Sequence, residues 1–262
     1  MQPLLNIAVR AARRAGDLIV RNLDRSRELE VSVKQRNEFV TEVDRQAEQE
    51  IIGLVRSFHP DHAFLGEESG ATGSSDFVWV IDPLDGTTNF LHGFPQFAVS
   101  LALRFRGRLE LGVVYDPLRQ ELYTALRGSG AQLDGRRLRV SDRRDLEESL
   151  IGTGFPYREN ARLETYLDMF RAVTRRTRGI RRPGAAALDL AYVAAGRLDG
   201  FWEMGLKEWD LAAGCLLIAE AGGMVTDLRG GGRHLETGDV VAGNPRVHAA
   251  LLRELAPFVP AA

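Results

Sequence analysis

Cysteine is nearly absent from this chain: among 262 residues only Cys215 carries a thiol. A single cysteine cannot form an internal disulfide, and this scarcity favours a reducing compartment such as the cytoplasm. Cys215 lies in the apolar run 212–221. We therefore expect a buried core thiol rather than a nucleophile.

Long hydrophobic runs and a bias in charge are absent as well. No apolar run approaches the roughly 20 residues that span a bilayer, and arginines interrupt the apolar residues near the N-terminus, which argues against a secretory signal. The formal net charge is only -2, so the composition indicates no general affinity for nucleic acid or membrane. The arginine clusters at 136–139, 143–144 and 175–182 are expected to be solvated faces, with a patch for an anionic partner as the alternative.

Apolar periodicity divides the chain into an α+β part followed by an α/β part. In the first part, it predicts helices at about 4–25 and 41–57, a polar hairpin or loop at 31–41, strands at 63–66 and 77–81, a surface loop at 71–76 and an antiparallel meander over 97–140. In the second part, it predicts helices at 163–174, 186–195, 211–221 and 247–255, alternating with strands near 149–153, 177–181, 200–203, 224–226 and 240–243. The chain has no internal repeat and no long linker, so we expect residues 1–262 to form one domain.

The most informative stretch is WVIDPLDGTTNF at 79–90. The apolar run 77–81 predicts a buried strand that stops at Asp82, because Pro83 has no N–H for a strand ladder. Asp85 follows after a tight turn. Two carboxylates with this spacing can converge on a hard cation, which prefers oxygen ligands.

The residues after Asp85 predict an anion site. Gly86 lets the backbone approach a ligand closely. Thr87 or Thr88 is expected to cap a short helix, whose unpaired N–H groups attract an anion. A metal and an anion side by side indicate phosphate chemistry.

Other acidic residues have both an ordinary and a functional interpretation. Asp44 is either a solvated acid in the first turn of a helix or functional, and Glu67–Glu68 are either a solvated loop or functional. Asp210 is either a simple helix cap or a ligand. Asp82 differs from these, because a buried carboxylate without a partner is costly and a metal would remove that cost.

Taken together, the motifs of this chain resemble the inositol monophosphatase family. They are GEES at 66–69, the stretch at 79–90, WDLAAG at 209–214 and EAGG at 220–223. The resemblance extends over essentially the whole chain and looks closest to the bacterial inositol-1-monophosphatases. It implies a layered α-β-α-β-α sandwich, with the metal motif in the α+β part (1–145) and the substrate pocket in the α/β part (146–262).

The resemblance also implies roles for individual residues. A cluster of two to three Mg²⁺ ions would be held by the side chains of Glu67, Asp82, Asp85 and Asp210 and by the carbonyl of Leu84. Thr87 with Asp44 would orient the attacking water, and Glu68 would assist beside a metal ligand. The substrate would contact Gly86, Thr87, Gly184, Ala185, Ala186, Glu203 and Asp210. Ala185 stands where the family often has a hydroxyl residue, and Lys34 lies in a segment that in relatives approaches the third metal.

The implied activity is Mg²⁺-dependent, lithium-sensitive hydrolysis of inositol 1-phosphate by a homodimer. Fructose 1,6-bisphosphate and 3'-phosphoadenosine 5'-phosphate are alternative substrates within the superfamily. Relatives of the nucleotide type usually carry lysine after the first threonine of the motif, whereas this chain has Thr88, which favours the inositol class. Some bacterial relatives bind the transcription machinery and act in ribosomal RNA synthesis, so a transcription-complex or nucleic acid partner is a further hypothesis.

Overall fold

Helices and strands alternate in layers in the computed structural model, which describes residues 1–23, 31–35, 38–156 and 160–259. The α-helices in these ranges are α1 (Gln2–Asn22), α2 (Glu42–Phe58), α3 (Thr87–Leu91), α4 (Leu163–Thr174), α5 (Ala186–Ala194), α6 (Glu208–Glu220), α7 (His234–Thr237) and α8 (Pro245–Leu255). None of these helices combines the length and the apolar character that crossing a bilayer requires.

The strands of the described ranges form two large sheets and one hairpin. Their bounds are β1 (Val31–Gln35), β2 (Glu38–Thr41), β3 (Ala63–Gly66), β4 (Gly70–Thr72), β5 (Phe77–Asp85), β6 (Ala98–Phe105), β7 (Arg108–Asp116), β8 (Glu121–Leu126), β9 (Gly130–Leu133), β10 (Arg136–Arg137), β11 (Leu150–Thr153), β12 (Gly179–Arg181), β13 (Gly200–Glu203), β14 (Met224–Thr226) and β15 (Val240–Gly243). The eight-stranded sheet has the order β10-β9-β8-β7-β6-β5-β3-β4 and the five-stranded sheet the order β12-β11-β13-β15-β14, while β1 pairs with β2.

Among the residues that the structure describes, three apolar cores lie between the layers. The first lies between α1, α2 and the large sheet and contains Trp79. The second contains Val80 and lies between the large sheet, α5, α6 and the small sheet. The third contains Tyr166 and Trp202 and lies between the small sheet, α4 and α8. Trp79 and Val80 point to opposite faces of β5 because side chains alternate along a strand. The α-β-α-β-α arrangement expected from the resemblance is confirmed.

The prediction that the core strand stops before Pro83 was wrong, because β5 continues to Asp85. On one side, the neighbouring strand β3 ends opposite Ile81, so no ladder there needs an N–H from Pro83. On the other side, the pairing with β6 shifts between Asp82 and Asp85. One extra residue is accommodated as a bulge, an irregularity that tolerates proline.

Two further sequence predictions differ from the structure. The expected surface loop at 71–76 begins with part of β4, which pairs with β3 as a short antiparallel strand. Asp210, expected before the helix as a cap, lies inside the first turn of α6, because that helix starts at Glu208. Strand pairing and helix extension both depend on neighbours that are distant in sequence.

Candidate metal and phosphate site

Three aspartates meet at the end of β5. One carboxylate oxygen from each of Asp82, Asp85 and Asp210 lies within 4.8 Å of the others. All three side chains are buried. The fold therefore joins the two acids of the 79–90 motif to an acid from the first turn of α6.

The carboxylates of this cluster destabilise one another. Burial raises the pKa of Asp82 well above its ordinary value, and the nearby charges of Glu67, Asp85 and Asp210 raise it further. Glu67 therefore lies close to the three aspartates, next to Asp82. Buried like charges need a counter-charge, and a set of carboxylate oxygens suits a hard divalent cation such as Mg²⁺. The residues present fit a metal site.

Backbone N–H groups fix the orientation of each aspartate. The donors are the N–H of Leu84 to Asp82 (3.0 Å), of Ala187 to Asp85 (2.8 Å) and of Lys207 to Asp210 (2.7 Å). The bond from Ala187 links the strand end to α5 in the other half of the chain. The cluster is thus held by the local turn and by tertiary contacts.

A hydroxyl and a carboxylate lie beside the cluster. The Thr87 hydroxyl oxygen is 2.9 Å from Asp44 Oδ1 and 3.0 Å from the carbonyl oxygen of Leu84. Asp44 is buried, and the backbone N–H and hydroxyl of Thr41 donate to its other oxygen, Oδ2. Burial raises the pKa of Asp44, although the hydrogen bonds from Thr41 and Thr87 oppose this rise. Asp44 is therefore not a solvated acid of the helix surface.

Gly86, not a threonine, is the N-cap of the short helix α3. Its φ of 92° lies in the left-handed region, and a Cβ atom there would come within 2.9 Å of the carbonyl oxygen of Gln96. Only glycine avoids both problems. The predicted threonine cap was wrong, because the Thr87 hydroxyl points to Asp44 and Leu84 instead.

A cleft that is open to solvent and has room for about 150 Å³ of water-sized molecules lies next to the cluster. The residues expected to contact a substrate that line it are Gly184, Ala185, Ala186, Glu203 and Asp210, and the predicted metal ligand Asp85 lines it as well. The other two expected contacts, Gly86 and Thr87, are not among its lining residues. Asn89 stabilises this wall, since its amide nitrogen lies 2.9 Å from the carbonyl oxygen of Pro183 and 2.7 Å from that of Gln96.

Glu48 is a functional candidate that the sequence analysis missed. It is buried in α2, and its carboxylate accepts the backbone N–H groups of Glu68 (3.0 Å) and Ser69 (2.8 Å). A Cβ at Gly66 would collide with this carboxylate. The available signal was its position four residues after Asp44, which places both acids on the apolar face of α2.

Asp189 was missed as well. It lines the cleft from α5 and is 1% exposed. Burial raises its pKa well above the ordinary value, and the charges of Glu203 and Asp85 raise it further, whereas Arg182 lowers it. An acid inside the apolar helix 186–195 was the signal in the sequence.

For three other residues that the sequence analysis discussed, the structure shows little beyond their location. The half-buried Glu68 follows Glu67 directly, and its assisting role stays a prediction. The backbone of Lys34 lies in β1, and the prediction for its side chain falls outside the described part of the chain. Cys215 is buried, and burial raises the pKa of its thiol to about 12, as expected for a core residue.

The layered fold, the buried carboxylate cluster and the adjoining Thr87–Asp44 pair are together typical of a metal-dependent phosphatase. A model of the inositol monophosphatase family matches residues 1–260, and the chain belongs to this family.

Relatives and solved structures agree with this assignment. The chain is 57% identical to the Nus factor SuhB of Pseudomonas aeruginosa, over 99% of this chain and 98% of the relative. A crystal structure of the extragenic suppressor protein suhB from Bartonella henselae superposes with a TM-score of 0.95 at 47% identity, covering 98% of this chain and 100% of that one. The inositol monophosphatase of Anabaena (Nostoc) sp. PCC 7120 gives a TM-score of 0.87 at 40% identity, over 99% and 97% of the two chains.

Proposed function

We propose that this protein hydrolyses phosphate monoesters with the help of Mg²⁺, and that inositol 1-phosphate is its substrate. The observation that carries the proposal is the cluster of buried carboxylates beside the Thr87–Asp44 pair, at the edge of an open cleft. The name of the Anabaena relative supports the choice of substrate.

Two to three Mg²⁺ ions would be held by oxygen ligands from both halves of the chain. The ligands are the side chains of Glu67, Asp82, Asp85 and Asp210 and the carbonyl of Leu84. Bound Mg²⁺ lowers the pKa of water and offsets the charge of the phosphate and of the leaving alkoxide. We also propose that residues 1–262 act as one domain, because the parts 1–145 and 146–262 both contribute ligands.

Thr87 and Asp44 would orient the attacking water and accept its proton. The Thr87 hydroxyl has one hydrogen, which it can donate to Asp44 Oδ1 or to the Leu84 carbonyl. While it donates to Asp44, the lone pairs of its oxygen can accept a hydrogen bond from water. The proton of the water would then pass through the Thr87 hydroxyl to Asp44. Glu68 would assist beside the ligand Glu67.

The phosphate and the alcohol would occupy neighbouring parts of the cleft. The backbone N–H groups of Gly86 and Thr87, at the start of α3, would hold the phosphate. Glu203 and Asp210 would bind substrate hydroxyls, next to the wall formed by Gly184, Ala185 and Ala186. We also propose that the protein is cytoplasmic, because it has a single cysteine, and that it forms a homodimer, as the resemblance implies.

Phosphate release from inositol 1-phosphate tests this function. We expect activity that requires Mg²⁺, disappears with EDTA, is inhibited by Li⁺ and falls at least a hundredfold in Asp85→Asn. Asp199→Asn is the matched control, because Asp199 is a buried acid outside the cleft that accepts the N–H of Leu150 at 2.7 Å. Full activity of Asp85→Asn, or activity in EDTA, would contradict the proposed role of the cluster.

A second function is favoured by one observation, the 57% identity to a Nus factor SuhB. We propose that this protein also binds the transcription machinery. A pull-down from lysate with the Asp85→Asn variant as bait separates this role from catalysis. We expect RNA polymerase or an associated factor in the eluate, and its absence would refute the second function.

A further inference from the structure

One buried acid in the cleft lacks a hydrogen-bond partner on one of its oxygens. Among the described residues, no group donates to Asp189 Oδ1. The side chain is 1% exposed, yet it lines the cleft together with Asp85, Glu203 and Asp210. A polar atom buried in this way costs stability unless a ligand or a water satisfies it. The position of Asp189 therefore calls for an explanation.

The backbone around Asp189 is fixed. Its own N–H donates to the carbonyl of Ala185 at 3.1 Å, and the N–H of Ala187 donates to Asp85 Oδ2 at 2.8 Å. The same turn of α5 thus positions a cluster carboxylate and presents Asp189 to the cleft. Ala186 lies one helical turn before Asp189, on the same face of α5, and also lines the cleft.

The charges around Asp189 indicate which ligand chemistry suits it. Glu203 and Asp85 lie near enough to raise its pKa, and the exposed Arg182 at the rim opposes them. A second anionic group on the substrate would meet repulsion from these acids. An apolar alcohol would leave Asp189 Oδ1 without a partner. A neutral hydroxyl avoids both penalties, because it can donate to a carboxylate or accept from a carboxylic acid.

We propose that Asp189 is a specificity-determining residue that hydrogen-bonds a hydroxyl of the leaving alcohol, so that the cleft selects neutral polyol phosphates. This role rests on the proposed phosphatase function and narrows its substrate class. It disfavours substrates with a second phosphate, such as fructose 1,6-bisphosphate. Glu203 would bind a different hydroxyl of the same molecule.

Two phosphate esters that differ only in ring hydroxyls test the proposal. Inositol 1-phosphate carries them, and cyclohexyl phosphate has the same ring size without them. We expect Asp189→Leu to lower kcat/KM for inositol 1-phosphate by about ten- to a hundredfold, mainly through KM, because one buried hydrogen bond is lost. Hydrolysis of cyclohexyl phosphate should change less than about threefold. Asp189→Asn, which retains an acceptor and a donor, should keep most of the preference for inositol 1-phosphate over cyclohexyl phosphate.

The control is Asp199→Asn, which removes a buried charge outside the cleft and should leave the ratio of the two kcat/KM values unchanged. An equal loss on both esters in Asp189→Leu and Asp189→Asn would show a structural role and overturn the proposal. Unchanged kinetics on both would overturn it as well.

A binding measurement separates this proposal from the phosphatase function. Saturating myo-inositol with inorganic phosphate and Mg²⁺ should raise the Tm of the wild-type protein by more than that of Asp189→Leu. If the wild type hydrolyses neither ester, the phosphatase proposal fails, and the Tm comparison still decides whether Asp189 binds a polyol. Equal shifts in both proteins would then refute the role of Asp189.

Discussion

Replacement of Glu48 by glutamine probes how the turn that carries Glu67 is held in place. The Glu48 carboxylate accepts two backbone N–H groups, from Glu68 at 3.0 Å and from Ser69 at 2.8 Å. The two N–H groups meet different oxygens of the carboxylate, and a glutamine amide replaces one of these oxygens by an NH₂ group, so only one of the two donors would still face an acceptor. The other N–H would face a donor, and a buried donor without an acceptor costs about 1–3 kcal/mol.

This cost should appear in both stability and metal binding. We expect Glu48→Gln to lower the free energy of unfolding by about 2 kcal/mol. Because the turn positions Glu67, the Mg²⁺ concentration for half-maximal activity should rise by about ten- to a hundredfold, as is typical when a residue that supports a metal ligand is lost. Urea unfolding and a Mg²⁺ titration of phosphate release measure the two effects.

Glu50→Gln is the matched control, because Glu50 lies exposed on the same helix. It should change neither quantity noticeably. If Glu48→Gln behaves like Glu50→Gln in both assays, the inference that Glu48 holds the Glu67 turn is refuted. If only stability falls, Glu48 supports the fold without positioning the metal ligand.

Three other predictions follow from single residues. Gly86→Ala should destabilise the protein by about 2 kcal/mol or more in urea unfolding, because Gly86 has φ 92° and a Cβ would lie 2.9 Å from the Gln96 carbonyl oxygen. The control is Gly53→Ala, at an exposed helical site with nothing within 4 Å of the added carbon. This control should stabilise the protein by roughly 1 kcal/mol. Cys215 should resist a thiol reagent such as DTNB at pH 8 until urea unfolds the chain, because burial raises the pKa of its thiol to about 12. Rapid modification of the native protein would contradict this burial. Burial lowers the pKa of His248 below its ordinary value of 6.5. The unfolded state therefore binds more protons as the pH falls below 6.5, and the stability that the neutral, buried His248 contributes is lost. His248→Gln should weaken the decline in unfolding free energy between pH 7.5 and 5.5, and an unchanged dependence of this free energy on pH would show that burial does not lower the pKa of His248.

Local pattern was enough to predict most elements. The helix Leu163–Thr174 and the strand Gly200–Glu203 have the predicted bounds, because apolar periodicity reflects which face of a helix or strand is buried. The predicted bounds were wrong where strand pairing determined the end of an element. Pro83 was compatible with β5 only because β3 had already ended and the pairing with β6 contained a bulge.

For the candidate site, the sequence by itself determined the chemical types and their local order. Asp82, Asp85, Gly86 and Thr87 follow one another at the end of a buried strand, and this order was sufficient to predict a metal beside a phosphate. The resemblance added the distant partners Glu67 and Asp210, which no local pattern connects to the motif.

The tertiary structure decided which acids share a site and which serve to support it. The bond from the Ala187 N–H to Asp85 and the bond from the Glu68 N–H to the Glu48 carboxylate join segments that are distant in the chain. Asp189 lines the same cleft as Asp85, from another element of the fold. Such contacts have no periodicity that a single sequence could display. The contacts of Asp85 and Asp210 arise because the middle helical layer packs against both sheets and brings the end of β5 to the first turns of α5 and α6, whereas Glu48 reaches the Glu67 turn because α2 packs on the other face of the large sheet.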